Sequence, residues 1–431
     1  MNNFSGIEYS QFTNKKEVPI FEKKRMGIEP GSDHFAYTLD DLRKTIPNIV
    51  IAECTTTVSF SQNKFKRSQK LLKKAKYVMG MGVYQQLHYD PNRKKKILKP
   101  ASTKFINVYK PYTGQPLDGK TLLLSRTGGI GDCLFIQPNL IHLKEKYPSC
   151  KIIFACGPQY QAMLEGWDCV DEILDLPFNM HRLFSSDYHA IFEGVIERCL
   201  EAKTINAYRL FTDWLGLNLP DEKLIPIQIP KEERIKECKE ILYEWGIMDN
   251  PFILMQLRAS SPIRTPSPKV WKMIINSITN KGHRVIITDS PGQHKVLDEF
   301  INTLENKDLV FNFCEKSKTL DYTIALSSIA EMSISTDSSL MHLSASVGTK
   351  CLGIYGPFPG EIRLSTYKNC DWINVKSDCT PCFIHSPLPC RNSYGGHGKC
   401  YNNIDMSEFN EKFENLLKKE VNINSIDETT I

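Results

Sequence analysis

From residue 121 onward the chain alternates strand-length apolar runs with segments long enough to be helices. Residues 122–125, 152–155, 170–174 and 190–195 make a first series of runs. Residues 252–257, 284–288, 309–313, 332–335 and 351–355 make a second. Such alternation argues for parallel strands joined by helical crossovers. In Pro268–Thr279, Trp271, Ile274, Ile275 and Ile278 recur at helical spacing, which makes them a core-facing stripe. Asn250-Pro251 breaks the chain between the two series. The expected fold is therefore α/β, with two similar halves in series. Ligands of such folds sit beyond the carboxyl ends of the strands.

The first of those strand ends is Ser125-Arg126-Thr127-Gly128-Gly129-Ile130-Gly131-Asp132. A strand running into a glycine turn and then a helix gathers free backbone N–H groups at one point. Gly128, Gly129 and Gly131 let a ligand or an acceptor approach the main chain, and glycine permits positive φ. Asp132 falls in the first helical turn, where it serves either as a helix-end carboxylate or as a reacting group. Pro138 predicts a kink or a late start for this helix.

Two further loops lie at strand ends of the second series. Gln256 to Arg264 carries Arg258, Ser260, Ser261 and Arg264. Guanidinium forks and hydroxyls suit phosphate oxygens, although a polar surface loop has the same composition. Asp337, Ser338, Ser339 and His342 stand where the run 332–335 opens onto a helix, whose start would favour a diphosphate. Ser338 or Ser339 would also serve as a plain N-cap. Near the C-terminus, Cys379-Thr380-Pro381-Cys382, Cys390 and Cys400 give one CxxC pair and two more thiols within a Pro/Gly-rich stretch. This fits a four-thiolate knuckle for zinc or iron, with His385 and His397 as substitute ligands.

Charge is uneven along the 431 residues. The net +5 combines 21 Lys and Arg against 10 Asp and Glu in residues 1–118, or +11, with −6 in the remainder. The basic arm reads as a docking surface or a solvated face. No recognised nucleic-acid module accompanies it, so no nucleic-acid partner is expected. Residues 48–60 read as strands and 64–76 as a basic helix. No window reaches the roughly 18 apolar residues of a membrane span, so at most peripheral membrane contact is expected. Met1 to Ser5 lacks signal-peptide features, which points to a cytoplasmic protein with reduced cysteines.

From about residue 121 to 405 the chain resembles the ADP-heptose heptosyltransferases, glycosyltransferase family nine. Three blocks carry the resemblance: Gly128-Gly129-Ile130-Gly131-Asp132 with Pro138; Asp337 to Ala345 with Gly348 and Tyr355-Gly356; and the Cys379, Cys382, Cys390, Cys400 set. It implies a GT-B fold, two Rossmann-like domains facing across a cleft. An acceptor domain would span 119–240 and a donor domain 241–375. A basic extension (1–118), a cysteine-rich segment (376–404) and a C-terminal helix and tail (405–431) would complete the chain. By the same resemblance Asp132 corresponds to the catalytic base, and Arg264 falls near the family's donor-phosphate lysine. Asp337, Ser338, Ser339 and His342 match the donor-binding block, with Ser339 in place of a glycine. The implied activity is inverting transfer of heptose from ADP-heptose, a nucleotide-sugar donor, to a lipopolysaccharide-type glycan or a protein hydroxyl. No catalytic metal is implied. The appended N-terminal region and the cysteine set resemble the autotransporter heptosyltransferase branch, which modifies protein hydroxyls and binds iron. A homo-oligomer is a further expectation. The alternatives are a GT-B nucleotide-sugar epimerase and a catalytically silent binding module.

Overall fold

The computed structural model describes residues 35–44, 49–62, 67–80, 83–84, 87–90, 95–247, 251–384, 389–393 and 396–419. These divide into two compact units, 35–226 and 227–419.

The first unit begins with α1 (Leu39–Lys44), followed by β1 (Ile49–Cys54), β2 (Val58–Gln62), β3 (Arg67–Leu71) and β4 (Lys76–Gly80). Next come β5 (Tyr89–Asp90), β6 (Lys95–Lys96) and β7 (Leu98–Pro100). Then β8 (Thr121–Arg126) leads into α2 (Ile130–Lys146). β9 (Lys151–Cys156), β10 (Glu172–Asp175), β11 (Phe178–Asn179), β12 (Tyr188–Ile191) and α3 (Ala207–Trp214) complete it. Its parallel sheet has the order β10-β9-β8-β12. Strand β8 is central, with Leu123 opposite Ile153 of β9 and His189 of β12. Beside it stands a sheet of order β11-β4-β1-β7, in which β1 runs antiparallel to β4 and β7. Ile49, Ile51 and Val78 of that sheet share one apolar core with Leu123, Ile153 and Ile191.

The expected basic helix over 64–76 is not present. Arg67–Leu71 is a strand paired antiparallel with β2, and Lys76 opens β4; residues 64–66 lie outside the described residues. The physical reason is the adjacent pair Leu71 and Leu72. Leu71 ends β3 at 1% exposed, in a core with Ala52, Cys54, Tyr77 and Met79, while Leu72, just past the strand, is 51% exposed. A helix would have placed the two on neighbouring positions of one face without a stripe to support them.

The second unit holds α4 (Glu232–Glu244), β13 (Phe252–Gln256), α5 (Pro268–Thr279), β14 (Arg284–Ile287), α6 (His294–Ile301), β15 (Val310–Asn312) and α7 (Leu320–Ile329). It continues with β16 (Met332–Thr336), α8 (Ser339–Ser346), β17 (Lys350–Tyr355), α9 (Glu361–Leu364), β18 (Cys370–Asn374) and α10 (Met406–Lys418). The six strands are all parallel, in the order β15-β14-β13-β16-β17-β18. This is the classic Rossmann arrangement, and its direction of winding reverses between β13 and β16. Helix α4 belongs here: Arg234 Nε donates to Asp321 Oδ2 of α7 at 2.8 Å. The apolar stripe of α5 is fully buried against the sheet. Strand β18 is an addition to the five runs read from the sequence.

Both parallel sheets therefore have a reversal of order beside a central strand: β8 next to β12 in one, β13 next to β16 in the other. Backbone groups at the carboxyl ends of two such strands diverge and leave a crevice, which is where ligands of open α/β sheets bind. Among the described residues no helix is long and apolar enough to cross a membrane.

Candidate active site and donor site

At the end of β8 the chain turns through Gly128 and Gly129 into α2. Gly129 has φ +80°, and a Cβ placed there would lie 2.3 Å from Asp132 Oδ2. Glycine is thus required twice, by the backbone conformation and by the carboxylate folded against it. Gly131 and Asp132 occupy the first turn of α2, which has no side-chain cap. The helix starts without delay and runs through Pro138, which is buried within it.

The Asp132 side chain is about a quarter exposed, at 24%, whereas Arg126 beside it is almost wholly buried. The Arg126 guanidinium reaches Asp132 Oδ2 and, at 2.7 Å, Glu197 Oε1. Its Nε donates to the Gly128 carbonyl at 2.9 Å, and Nη1 donates to the Phe192 carbonyl at 2.8 Å. One side chain from β8 thus ties together the glycine turn, the end of β12 and two carboxylates. Burial works against its charge, but Asp132 and Glu197 outweigh that and hold its pKa well above the ordinary guanidinium range. Glu193 lies just beyond β12, fully buried, and accepts from Ser125 Oγ at 3.1 Å. Burial raises its pKa to about 7, against the pull of Arg126.

The second site lies at the reversal between β13 and β16. Arg264 Nη1 bonds Asp337 Oδ2 at 3.0 Å, and its Nη2 donates to Ser260 Oγ at 2.6 Å. Arg363 of α9 brings its Nε within 3.6 Å of Asp337 Oδ1. Burial would raise the Asp337 pKa, but Arg264 and Arg363 outweigh it and bring it to about 2. His342 is buried one turn into α8; burial lowers its pKa to about 4 despite Asp337, so the ring is neutral near pH 7. Ser338 is the N-cap of α8 but makes no side-chain cap bond; its Oγ instead bonds Ser335 Oγ at 2.8 Å and Gln256 Oε1 at 3.1 Å. Ser339 is the first residue of α8. Ser261 is fully buried and accepts from Thr265 Oγ1 through its carbonyl. Arg258 is placed apart from Arg264: its fork bonds Asp289 through Nε at 2.7 Å and Nη2 at 2.6 Å, and both partners are buried.

The sequence reading did not single out Arg126, Glu193 or Glu197 around Asp132, nor Asp289 and Arg363 in the second unit. Arg363 follows the Tyr355-Gly356-Pro357 strand end, so the same strand-end rule could have found it. The acids beyond β12 carry no local motif.

The cysteine-rich segment docks on the loops that carry Arg264 and Thr336. Tyr401 is fully buried; its hydroxyl lies 2.9 Å from Thr336 Oγ1 and donates to the Arg264 carbonyl at 3.2 Å. The Gly398 N–H donates to the Thr265 carbonyl at 3.2 Å. Burial pushes the Cys400 thiol up to about 12, with further pressure from Cys382, Cys390 and Cys379. Even so, among the described residues no three His, Cys, Asp or Glu side chains converge closely enough to hold a metal ion. His397 is half-buried and within the described residues, whereas His385 lies outside them.

Residues 201–388 match the model of glycosyltransferase family 9 (heptosyltransferase). The match contains every residue of the Arg264–Asp337 site; Asp132 lies before it. A search of curated proteins found no match. Among solved structures, a family 9 glycosyl transferase from Veillonella parvula superposes with a TM-score of 0.55 at 15% identity, covering 70% of this chain and 98% of its own. The E. coli ADP-heptose lps heptosyltransferase II gives 0.52 at 15% identity, with coverages of 69% and 98%. The iron-containing dodecameric glycosyltransferase TibC from enterotoxigenic E. coli gives 0.50 at 11% identity, with coverages of 86% and 92%. The chain has the GT-B architecture of two Rossmann-like units and is a glycosyltransferase. It resembles the ADP-heptose heptosyltransferases, the TibC type among them.

Proposed function

We propose that the protein transfers heptose from ADP-heptose, with inversion, to a hydroxyl of a glycan or a protein. The observation that carries this reading is the Arg264–Asp337 site at the winding reversal of the second unit, inside the stretch that matches family 9. Arg264 and the open first turn of α8 stabilise the departing diphosphate as its charge grows. Ser260, Ser338 and Ser339 line that path, and the neutral His342 adds no charge to it. Arg258 acts through Asp289, bracing the loop that carries Ser260, Ser261 and Arg264.

In the first unit Asp132 takes the proton of the acceptor hydroxyl. An ordinary carboxylate, with a pKa of about 4, cannot deprotonate a free alcohol. The proton therefore moves late, as the new C–O bond forms and the hydroxyl becomes acidic. Arg126 fixes the direction of the carboxylate. Asp132→Asn should lower transfer by about a thousandfold or more, in the range expected when a general base is lost. Its ADP-heptose affinity, read by calorimetry, should stay within about threefold of the native protein. An active Asp132→Asn protein would remove the assignment. Release of an altered sugar without any acceptor would point to an epimerase, and absence of both binding and turnover to a silent binding module.

The proposal extends to a structural zinc or iron on Cys379, Cys382, Cys390 and Cys400. Four thiolates are the donor type that tetrahedral zinc or iron takes, and drawn together on one metal they would staple the loop resting on Thr265 and Arg264. Metal analysis of the purified protein reads this directly, as one equivalent or none. Reaction in the cytoplasm and self-association belong to the same reading, and light scattering tests the second.

A further inference from the structure

Arg264 alone neutralises Asp337, with a hydrogen bond of 3.0 Å. Arg363 is nevertheless buried beside the same carboxylate, its side chain 7% exposed, with Nε at 3.6 Å from Oδ1. Its guanidinium stacks over the Phe358 ring at 4.8 Å. Among the described residues it makes no side-chain hydrogen bond. A guanidinium carries five N–H donors, and no Arg363 nitrogen is both cut off from solvent and unpartnered, so the fork keeps an opening to solvent. A nearly buried fork with its donors unspent is a group awaiting an acceptor.

Its place in the sheet says which acceptor. Arg363 follows β17, the neighbour of β16, with Ile354 opposite Thr336. It therefore sits one strand over from Asp337, on the carboxyl-end side of the sheet. Two guanidinium groups share one carboxylate there, which leaves one positive charge in excess beside the uncapped first turn of α8. A dianionic or trianionic group with several oxygens matches that excess.

We propose that Arg363 is a second guanidinium for the nucleoside diphosphate, gripping its oxygens together with Arg264 while Asp337 holds both forks in register. This rests on the donor-site reading given under Proposed function. A rival role is purely structural: Arg363 would only help to neutralise the buried Asp337.

Arg363→Lys separates the two roles. Lysine keeps the positive charge near Asp337 but loses the fork and the flat face on Phe358. Calorimetry of the full chain with ADP, and with UDP and GDP as base variants, should show the Lys variant weakened roughly tenfold or more, as expected for a lost charge-assisted hydrogen bond. Its melting temperature should stay close to native. Native binding with no change in the Lys variant would overturn the inference and leave the donor reading standing. Failure of the native protein to bind any of the three nucleotides would overturn the donor reading itself. If Arg363→Lys unfolds, Phe358→Leu decides: it keeps both charges and removes only the ring that orients the fork. Weakened ADP binding by Phe358→Leu supports the inference, and unchanged binding overturns it.

Discussion

Arg126 shows how much of the proposed catalytic apparatus depends on one buried charge. It is held by Asp132 and Glu197, and it binds two carbonyls from different elements. Glu193 nearby makes no direct ion pair with it among the described residues, and burial raises its pKa to about 7 against the pull of Arg126. The sign of the linked stability effect follows. Between about pH 4.5 and 7 the folded state holds a proton on Glu193 that the unfolded chain has released, so stability falls as pH rises through that window. The buried His189, whose pKa burial lowers to about 4, works the other way: its contribution is lost as pH falls from about 6.5 toward 4. The two partly cancel in the native protein, so the useful quantity is the difference from a variant. Glu193→Gln should be more stable than native by on the order of 3 kcal/mol at pH 8 and nearly equal to it at pH 4. Denaturant unfolding of both proteins at the two pH values checks this. An equal difference at both pH values would mean that Glu193 does not titrate in that range.

At the scale of elements, the strand–turn–helix unit of β8 and α2 is where sequence and structure agree most closely. Its glycines, the first-turn Asp132 and the preceding apolar run are all local signals, and local signals survive folding. Gly129 lets the unit be tested as a unit. An alanine there would strain a residue at φ +80° and drive its Cβ into Asp132. Gly129→Ala should cost about 1–2 kcal/mol of stability and, by displacing the carboxylate, about a hundredfold or more in transfer. An Ala variant with native activity would show that Asp132 need not hold this position. The segment from 49 to 100 was harder to read for the opposite reason. Its strands are short and charged, and their burial comes from a core shared with residues as distant as Ile153 and Ile191. Leu71 and Leu72 illustrate this: Leu71 is inside because it packs with Ala52, Cys54, Tyr77, Met79 and Leu98, whereas Leu72, just past the end of β3, is outside.

At the scale of the molecule, two parallel sheets each place a candidate site at the same topological position, the reversal of winding beside the central strand. The alternation of apolar runs was enough to foresee the parallel sheets. It could not foresee strand order, because order depends on which crossovers pass to which side. Asp132, Arg264 and Asp337 stand in local motifs that the sequence shows, whereas Arg363 and Asp289 follow strand ends without such a motif, and only the assembled sheet shows what they face. The central claim is that the reversal between β13 and β16 holds a nucleotide-sugar diphosphate through Arg264. Calorimetric titration of the native protein and of Arg264→Ala with ADP-heptose tests it most directly. Saturable binding by the native protein, weakened roughly tenfold or more in Arg264→Ala, is the result expected for loss of a charge-assisted contact. Equal affinity in the two proteins, or no binding by the native one, would contradict it.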